Sequence, residues 1–345
     1  MSVQGTDDVG QTDPRKPLRR RLIRLLLILG LLGVLLLTTS FGYGAYRFQA
    51  VGPAQEDTTV MLSRGMSLST IARTLNEVGS LSDPLIFTIA VRLKQLENRL
   101  KAGEYIIPAR ASMADILDLL DEGKSILYPL TVPEGLTSQE VMALVAEHPK
   151  LNGDMPETPE EGSLLPETYL FERGTTRAGL VRQMQIAKSD LIDELWPERA
   201  GDLPFETAYQ AEILASIVEK ETAVPEERPR VAAVFVNRLR RPMRLQSDPT
   251  IIYGLTQGNG PLGRPIRQSE LRKKTPYNTY LIDGLPPTPI ANAGRAALEA
   301  VLNPPNTKEL YFVADGTGGH AFAETHAEHL KNVKKWRHIE RESRR

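Results

Sequence analysis

The chain contains no cysteine. Disulfides, thiolate metal sites and cysteine nucleophiles are therefore excluded, although exported proteins also do without cysteine and the compartment stays open. Nor is there an excess of either charge: 42 Lys and Arg stand against 43 Asp and Glu, a formal net charge of −1. A general nucleic-acid binder would carry a basic surplus, so that class is set aside. No internal repeat is visible. What is present is ordinary folding material, 41% hydrophobic and 25% charged, in 345 residues. That length exceeds one compact core and implies two domains with accessories.

Leu25–Tyr46 runs for 22 residues without a charge and opens LLLILGLLGVLLL. At about 1.5 Å per residue it is long enough to cross a bilayer as a helix. Arg15, Lys16, Arg19, Arg20, Arg21 and Arg24 precede it, and no basic residue follows before Arg47. The positive-inside rule then puts residues 1–24 in the cytoplasm and the rest outside, after a single pass through the membrane. A cleaved signal peptide is the rival reading; the run exceeds the usual apolar region, and no clear A-x-A site follows. Residues 1–14, rich in Asp, Gln, Thr and Gly, read as a disordered tail.

Beyond a polar linker at 51–57, Thr58–Leu62 alternates like a strand. Ser67 or Ser69 can cap a helix through Ile71, Ala72 and Leu75. A second helix is expected over Pro84–Leu96 and a strand over Gly103–Ile107. This strand–helix–helix–strand order resembles a LysM-like carbohydrate-binding module, over about residues 55–125 with the next capped helix, Ser112–Leu120. From Ile126 come a strand, a helix near Thr137 or Ser138, an acidic proline-broken loop over 152–162, and a helix over Leu180–Leu195. A further helix over Arg230–Leu239 precedes Met243–Asn292, which is rich in Pro, Gly, Tyr, Asn and Thr and lacks regular patterning. Long irregular stretches inside folded domains usually build binding surfaces. Leu310–Val313 reads as a strand, Gly316–Gly319 as a turn and Thr325–Lys335 as a polar helix.

The segment AEILASIVEKET, Ala211–Thr222, carries two glutamates that a helix would treat differently. At roughly 100° per residue Glu221 shares a face with Leu214, Ile217 and Val218, whereas Glu219 falls on the far side beside Glu212, Ala215 and Ser216. An acid on an apolar stripe holds its proton towards neutral pH, which is what a general acid needs. The alternative is a structural glutamate that snorkels or pairs with an arginine.

ASIVEKETAV, VFVNRL, LQSDPTIIYG, TPYNTY, GLPPTPIANAG and YFVADGTGGHAF follow in that order, after LKAGEY, VPEGLT and LPETY. Together they resemble the endolytic murein transglycosylase family (MltG, or YceG-like) across about residues 55–340. One departure is Leu330 in EHLKNV, where Asn is expected. The resemblance implies cutting of peptidoglycan strands between N-acetylmuramic acid and N-acetylglucosamine, leaving a 1,6-anhydro-muramic end, in a role terminating nascent strands. It implies Glu221 as the catalytic acid, the residue the helical face also selects, and penicillin-binding proteins as partners. It also favours Gln246, Asp248, Thr250, Tyr277, Asn278 and Tyr280 as substrate-binding groups, which otherwise read as polar residues serving irregular backbone. Asp248 is alternatively a partner of Glu221 or of an arginine.

The expected fold is α+β: one transmembrane helix at 25–46, a LysM-like subdomain at 55–125, and a mixed catalytic domain at 126–345 with its acid on a helix. One carboxyl group suffices for the chemistry, and no cofactor is called for. His320, His326 and His329 lie near Glu324 and Glu328, but zinc needs three or four converging ligands and no metal is expected. Gly316–Gly319 lacks the G-K-[ST] ending of a phosphate loop. Two rival readings stand beside the enzyme: a peptidoglycan-binding scaffold, and a hydrolysing muramidase that uses Asp248 as a second carboxylate.

Overall fold

The structure is a computed structural model. It describes the backbone of residues 16–343 and the side chains of residues 24–342. The tail expected over 1–14, Arg15, and the side chains of the basic residues up to Arg21 lie outside the described residues.

The first element, α1 (Lys16–Gln49), takes in the whole charge-free run. Its Arg24–Gln49 portion is long and apolar enough to cross a membrane, and its most apolar stretch is left uncovered, while Phe48 near its end is buried. Thr38 and Thr39 fold their hydroxyls back onto the carbonyls of Val34 and Leu35, at 3.0 and 2.8 Å. These groups are thus satisfied without water, as an apolar solvent requires.

The chain divides into two compact units, one ending at Ile126 and the other starting at Leu127. In the first, β1 (Thr58–Leu62), α2 (Leu68–Glu77), α3 (Pro84–Leu93), β2 (Gly103–Ile107) and α4 (Met113–Glu122) follow α1. The strands pair antiparallel, with Val60 opposite Tyr105 and Leu62 opposite Gly103. Period-2 alternation turns Val60, Leu62, Tyr105 and Ile107 inward onto Phe87, Val91, Ile116 and Leu120. Ser67 caps α2, and Asp83 caps α3 with Pro84 in its first turn. Ser112 and Asp115 form a reciprocal capping box on α4, which ends at Gly123 with φ of 74°. Helix α3 stops at Leu93, short of the expected Leu96.

The second unit begins with β3 (Leu127–Thr131), α5 (Ser138–Glu147) and β4 (Thr168–Glu172), the strands pairing antiparallel. Helix α6 (Arg177–Leu195) packs Leu180 and Met184 into a core with Leu130, Val141 and Phe171. Next come α7 (Ala208–Glu221), α8 (Arg228–Arg240), α9 (Asp248–Thr256), the single turn α10 (Gln268–Leu271) and α11 (Arg295–Leu302). The chain closes with β5 (Tyr311–Ala314), β6 (His320–Ala323) and α12 (His326–Ser343). Helices α7, α8 and α11 pack around Leu214, Ile217, Val231, Phe235, Leu298 and Val301. This helical core carries the site.

The stretch expected to be irregular, 243–292, contains α9. Its proline, Pro249, occupies the first turn, where a missing N–H costs nothing. Strands β4 and β6 and helix α11 also went unexpected. The turn at Gly316–Gly319 closes the β5–β6 hairpin, with Tyr311 opposite Ala323.

Candidate active site

Helix α7 is not amphipathic in the folded protein. Ala211 and every residue from Ile213 to Val218 are buried, so apolar cover surrounds it. The expectation that Glu219 faces away from the core is corrected: its side chain is only 4% exposed. Opposite the apolar stripe lies a second buried surface, formed by the irregular chain around residues 290–294. Ser216 Oγ accepts the Ile290 N–H at 3.0 Å, and Glu219 Oε2 accepts the Gly294 N–H at 3.0 Å. A wheel drawn from one helix cannot see a partner supplied by loop.

Partners as well as depth separate the two glutamates, Glu221 being the more deeply desolvated. Glu219 faces the Arg228 guanidinium at 3.4 Å, and Arg228 also reaches Glu134 at 3.6 Å. Among the described residues, Glu221 has no such ion pair. Its Oε1 accepts a hydrogen bond of 2.5 Å from Ser247 Oγ, a fully buried residue. Loss of hydration is the main cause that lifts the Glu221 carboxyl from 4.5 to about 7. The Ser247 hydrogen bond, the neighbouring His320 and the positive charge of Arg238 pull it down, and the nearby Asp248 carboxylate pushes it up. As the last residue of α7, Glu221 also sits at the negative end of the helix dipole, which disfavours its ionised form.

Ser247 is aimed by its backbone. It stands at the N-cap of α9, yet its hydroxyl makes no cap bond and turns to Glu221 instead. Gln246 before it has φ of 52°, a left-handed conformation that a side-chain-bearing residue seldom adopts. Gln246 N–H donates to Thr279 O at 3.1 Å, and Ser247 N–H to Thr279 Oγ1 at 2.9 Å. The LQSDPT and TPYNTY segments are thereby stitched together beneath the acid.

The six polar residues expected to bind substrate separate into two sets. Asp248 and Tyr280 line a cleft of about 490 Å³ with Ile252, Arg264 and Leu271, and the Tyr280 hydroxyl donates to Asp248 at 2.7 Å. Gln246 is exposed at its strained position. Thr250, by contrast, is fully buried and donates to Ser247 O at 2.7 Å. Asn278 is buried too, with Nδ2 donating to the carbonyls of Leu271 and Lys273 at 3.0 and 2.8 Å. Tyr277 is half-buried, its hydroxyl paired with Thr288 Oγ1 at 2.8 Å and its ring against Tyr253. These last three do not line that cleft and spend their polar atoms on neighbouring protein groups.

Ser247 and Arg238 are not among the residues the sequence singles out, and His320 is weighed there only as a metal ligand. Arg238, buried on α8, donates to Leu310 O at 2.7 Å and Leu245 O at 2.6 Å. With its donors on neutral carbonyls, its charge acts on Glu221. His320, on β6, is held by Glu227: its backbone N–H meets Oε1 and its Nδ1 meets Oε2, both at 2.7 Å. A carboxylate on Nδ1 fixes the ring tautomer. His326 and His329 instead pack beside the Tyr311 ring. The signal that could have found Arg238 is VFVNRL itself, where an arginine shares the helix face of buried Val231 and Val234.

Residues 60–335 match the sequence model of the YceG-like family. A Bacillus subtilis (strain 168) protein named endolytic murein transglycosylase is 28% identical over 334 residues, covering 88% of this chain and 91% of that one. A protein of the same name from Streptococcus pneumoniae serotype 2 is 28% identical over 89% of this chain, which spans 64% of that longer relative. The crystal structure of a YceG-like protein from Listeria monocytogenes is 30% identical with a TM-score of 0.51, covering 81% of this chain and 99% of that one. With its family match spanning most of the sequence, this chain belongs to the YceG-like family.

Proposed function

We propose that the protein is a membrane-anchored endolytic lytic transglycosylase of peptidoglycan. The bond cut joins N-acetylmuramic acid to N-acetylglucosamine, and the product carries a 1,6-anhydro-muramic end. The carrying observation is Glu221: a carboxyl with no ion-pair partner among the described residues, held near neutral pKa by lost hydration and bonded to Ser247. The names of the B. subtilis and S. pneumoniae relatives support the substrate and the reaction.

The protonated carboxyl donates to the glycosidic oxygen as the bond to C1 breaks through an oxocarbenium-like state. The carboxylate so formed then takes the proton of the sugar's own C6 hydroxyl, whose oxygen closes onto C1. One proton leaves Glu221 and one returns, and no water enters. Intramolecular attack supplies a large effective concentration, so a second carboxylate is unnecessary. Asp248 and Tyr280 are placed to contact the sugar in the cleft beside it, and Gln246 is free to do so. The LysM-like reading of the first unit supplies a second grip on the glycan. Anchoring by α1 with its N-terminus in the cytoplasm keeps the enzyme at the membrane where strands emerge, within reach of penicillin-binding proteins.

The test is mass spectrometry of the products that the full-length protein releases from purified peptidoglycan. Anhydro-muramic ends are expected. Reducing ends would give the site to a hydrolase with Asp248 as second carboxylate, and binding without cleavage would leave a scaffold.

Ser247→Ala offers a finer check. Removing a hydrogen bond to the ionised carboxylate favours the protonated form, so the Glu221 pKa should rise by about 1 unit. The alkaline limb of the kcat/KM profile should therefore move to higher pH, while kcat falls because the carboxyl is less well oriented. An unmoved limb would mean that Ser247 does not act through Glu221.

A further inference from the structure

Helix α3 is apolar on nearly every side, and Arg92 is its one charged residue. Phe87 and Val91 are buried in the core of the first unit, which accounts for one face. Leu85, Ile89 and Leu93, spaced four apart, form an opposite stripe and are 69%, 48% and 67% exposed. Such a helix is normally covered on all sides, and three large side chains left open on one stripe mark a contact surface. Between that stripe and α1 runs an almost wholly apolar groove of about 520 Å³, lined by Phe41, Tyr43, Phe48, Ile86, Ile89 and Leu93.

The position of the groove along α1 says what covers it. Counted from Arg24, a hydrocarbon layer of about 30 Å takes about 20 residues and ends near Gly44. Residues of α1 from Ser40 to Phe48 line the groove, so they straddle that boundary. Tyr43 and Tyr46, both exposed, lie at the level where aromatic belts form. Phe48 joins the core of the first unit and Lys94 Nζ sits 5.5 Å above its ring, which fixes α3 to this level of α1. Arg92 and Lys94, at the end of α3, are placed for lipid phosphates.

We propose that the stripe Leu85–Ile89–Leu93 is a lipid-contacting surface, and that α3 lies in the outer headgroup and acyl boundary with an acyl chain in the groove beside α1. The surface is continuous with the lipid-facing side of the anchor, and this inference rests on α1 being a retained membrane span. The first unit is then seated on the membrane rather than tethered above it.

The absence of cysteine makes the test direct, because single cysteines need no background removal. An environment-sensitive fluorophore is placed on Leu85→Cys, Ile89→Cys or Leu93→Cys in the full-length protein, in phosphatidylethanolamine–phosphatidylglycerol nanodiscs. Leu36→Cys, exposed on α1, reports the anchor, and Thr59→Cys, on the outward face of β1, reports water. Several-fold stronger quenching by brominated acyl chains than by aqueous iodide is expected at the three α3 sites and at Leu36, with the reverse at Thr59. Iodide quenching at all three α3 sites, with Leu36 still quenched from the lipid, would overturn the lipid surface and keep the anchor. Iodide quenching at Leu36 as well would remove the anchor and the inference with it. Protection of the three sites from both quenchers would assign the stripe to a protein partner and overturn the lipid contact.

Discussion

Glu221→Gln is expected to lower strand cleavage by about 10²–10⁴-fold, the usual contribution of a positioned general acid, and at the same time to stabilise the protein above neutral pH. The first effect follows from losing both the proton that the glycosidic oxygen takes and the carboxylate that takes the C6 hydroxyl proton. The second follows from linkage. The folded protein holds the Glu221 proton up to about pH 7, whereas an ordinary glutamate releases it near 4.5. Between those values the folded state binds more protons than the unfolded one, so stability falls as pH rises. Past pH 7 the loss levels off at no more than about 3.5 kcal/mol, taking about 1.4 kcal/mol for each pKa unit. Glutamine has no such proton and keeps an oxygen to accept from Ser247. Its advantage over the wild type should be absent below pH 4.5, grow towards pH 7 and then stay constant. Urea unfolding at pH 4.5 and pH 8, alongside product analysis, measures both effects. An active variant would remove Glu221 from the reaction; an inactive one with a flat stability difference would mean that the carboxyl is not held protonated.

Local signals made much of the fold legible. Strands Thr58–Leu62 and Gly103–Ile107 follow from alternation, and the caps at Ser67, Ser112 and Thr137 lie beside their helices in sequence. What escaped depends on distant chain. β4 is a strand because β3 pairs with it across an acidic loop, and no local pattern in LPETYLFE separates it from irregular chain. Helix α11 does carry a readable pattern, with Ala297, Leu298, Val301 and Leu302 buried; its signal was overshadowed by the proline- and glycine-rich run before it. At the site, Glu221 was chosen for a sound reason and an incomplete one. Its carboxyl is desolvated, but so is that of Glu219, because loop 290–294 covers the side of α7 that a wheel assigns to solvent. Likewise Thr250 and Asn278 look like sugar-binding groups by residue type, and only the folded loops show that their polar atoms face inward.

That comparison of two carboxylates leads to the largest stability effect expected. Arg228→Met should destabilise the protein by about 3 kcal/mol at pH 8, because it strands the carboxylate of Glu219 in the core. The Arg228 and Glu219 side chains are 10% and 4% exposed, so water can do little to replace the lost cation. The remaining Gly294 N–H satisfies one oxygen only, and the positive charge of Lys188 acts from further off. Lost hydration already raises the Glu219 pKa above its ordinary 4.5. Without Arg228 it must rise further, so the variant should take up a proton on folding over a wider pH range than the wild type. Its deficit should be smallest below pH 4.5, where Glu219 is mostly protonated in both states, and widen as pH rises. Adding Glu219→Gln to Arg228→Met should recover most of the loss at pH 8, since a neutral amide leaves no charge to strand. A deficit equal at both pH values, and not recovered in the double variant, would trace it to lost packing of the arginine stem instead. The same reasoning explains why glutamates two residues apart on one buried helix differ in chemistry: Glu219 is bound by a cation and a backbone N–H that keep it a structural anion. Glu221 is held by a serine hydroxyl and, among the described residues, by no ion pair, so at neutral pH it can both give up a proton and take it back.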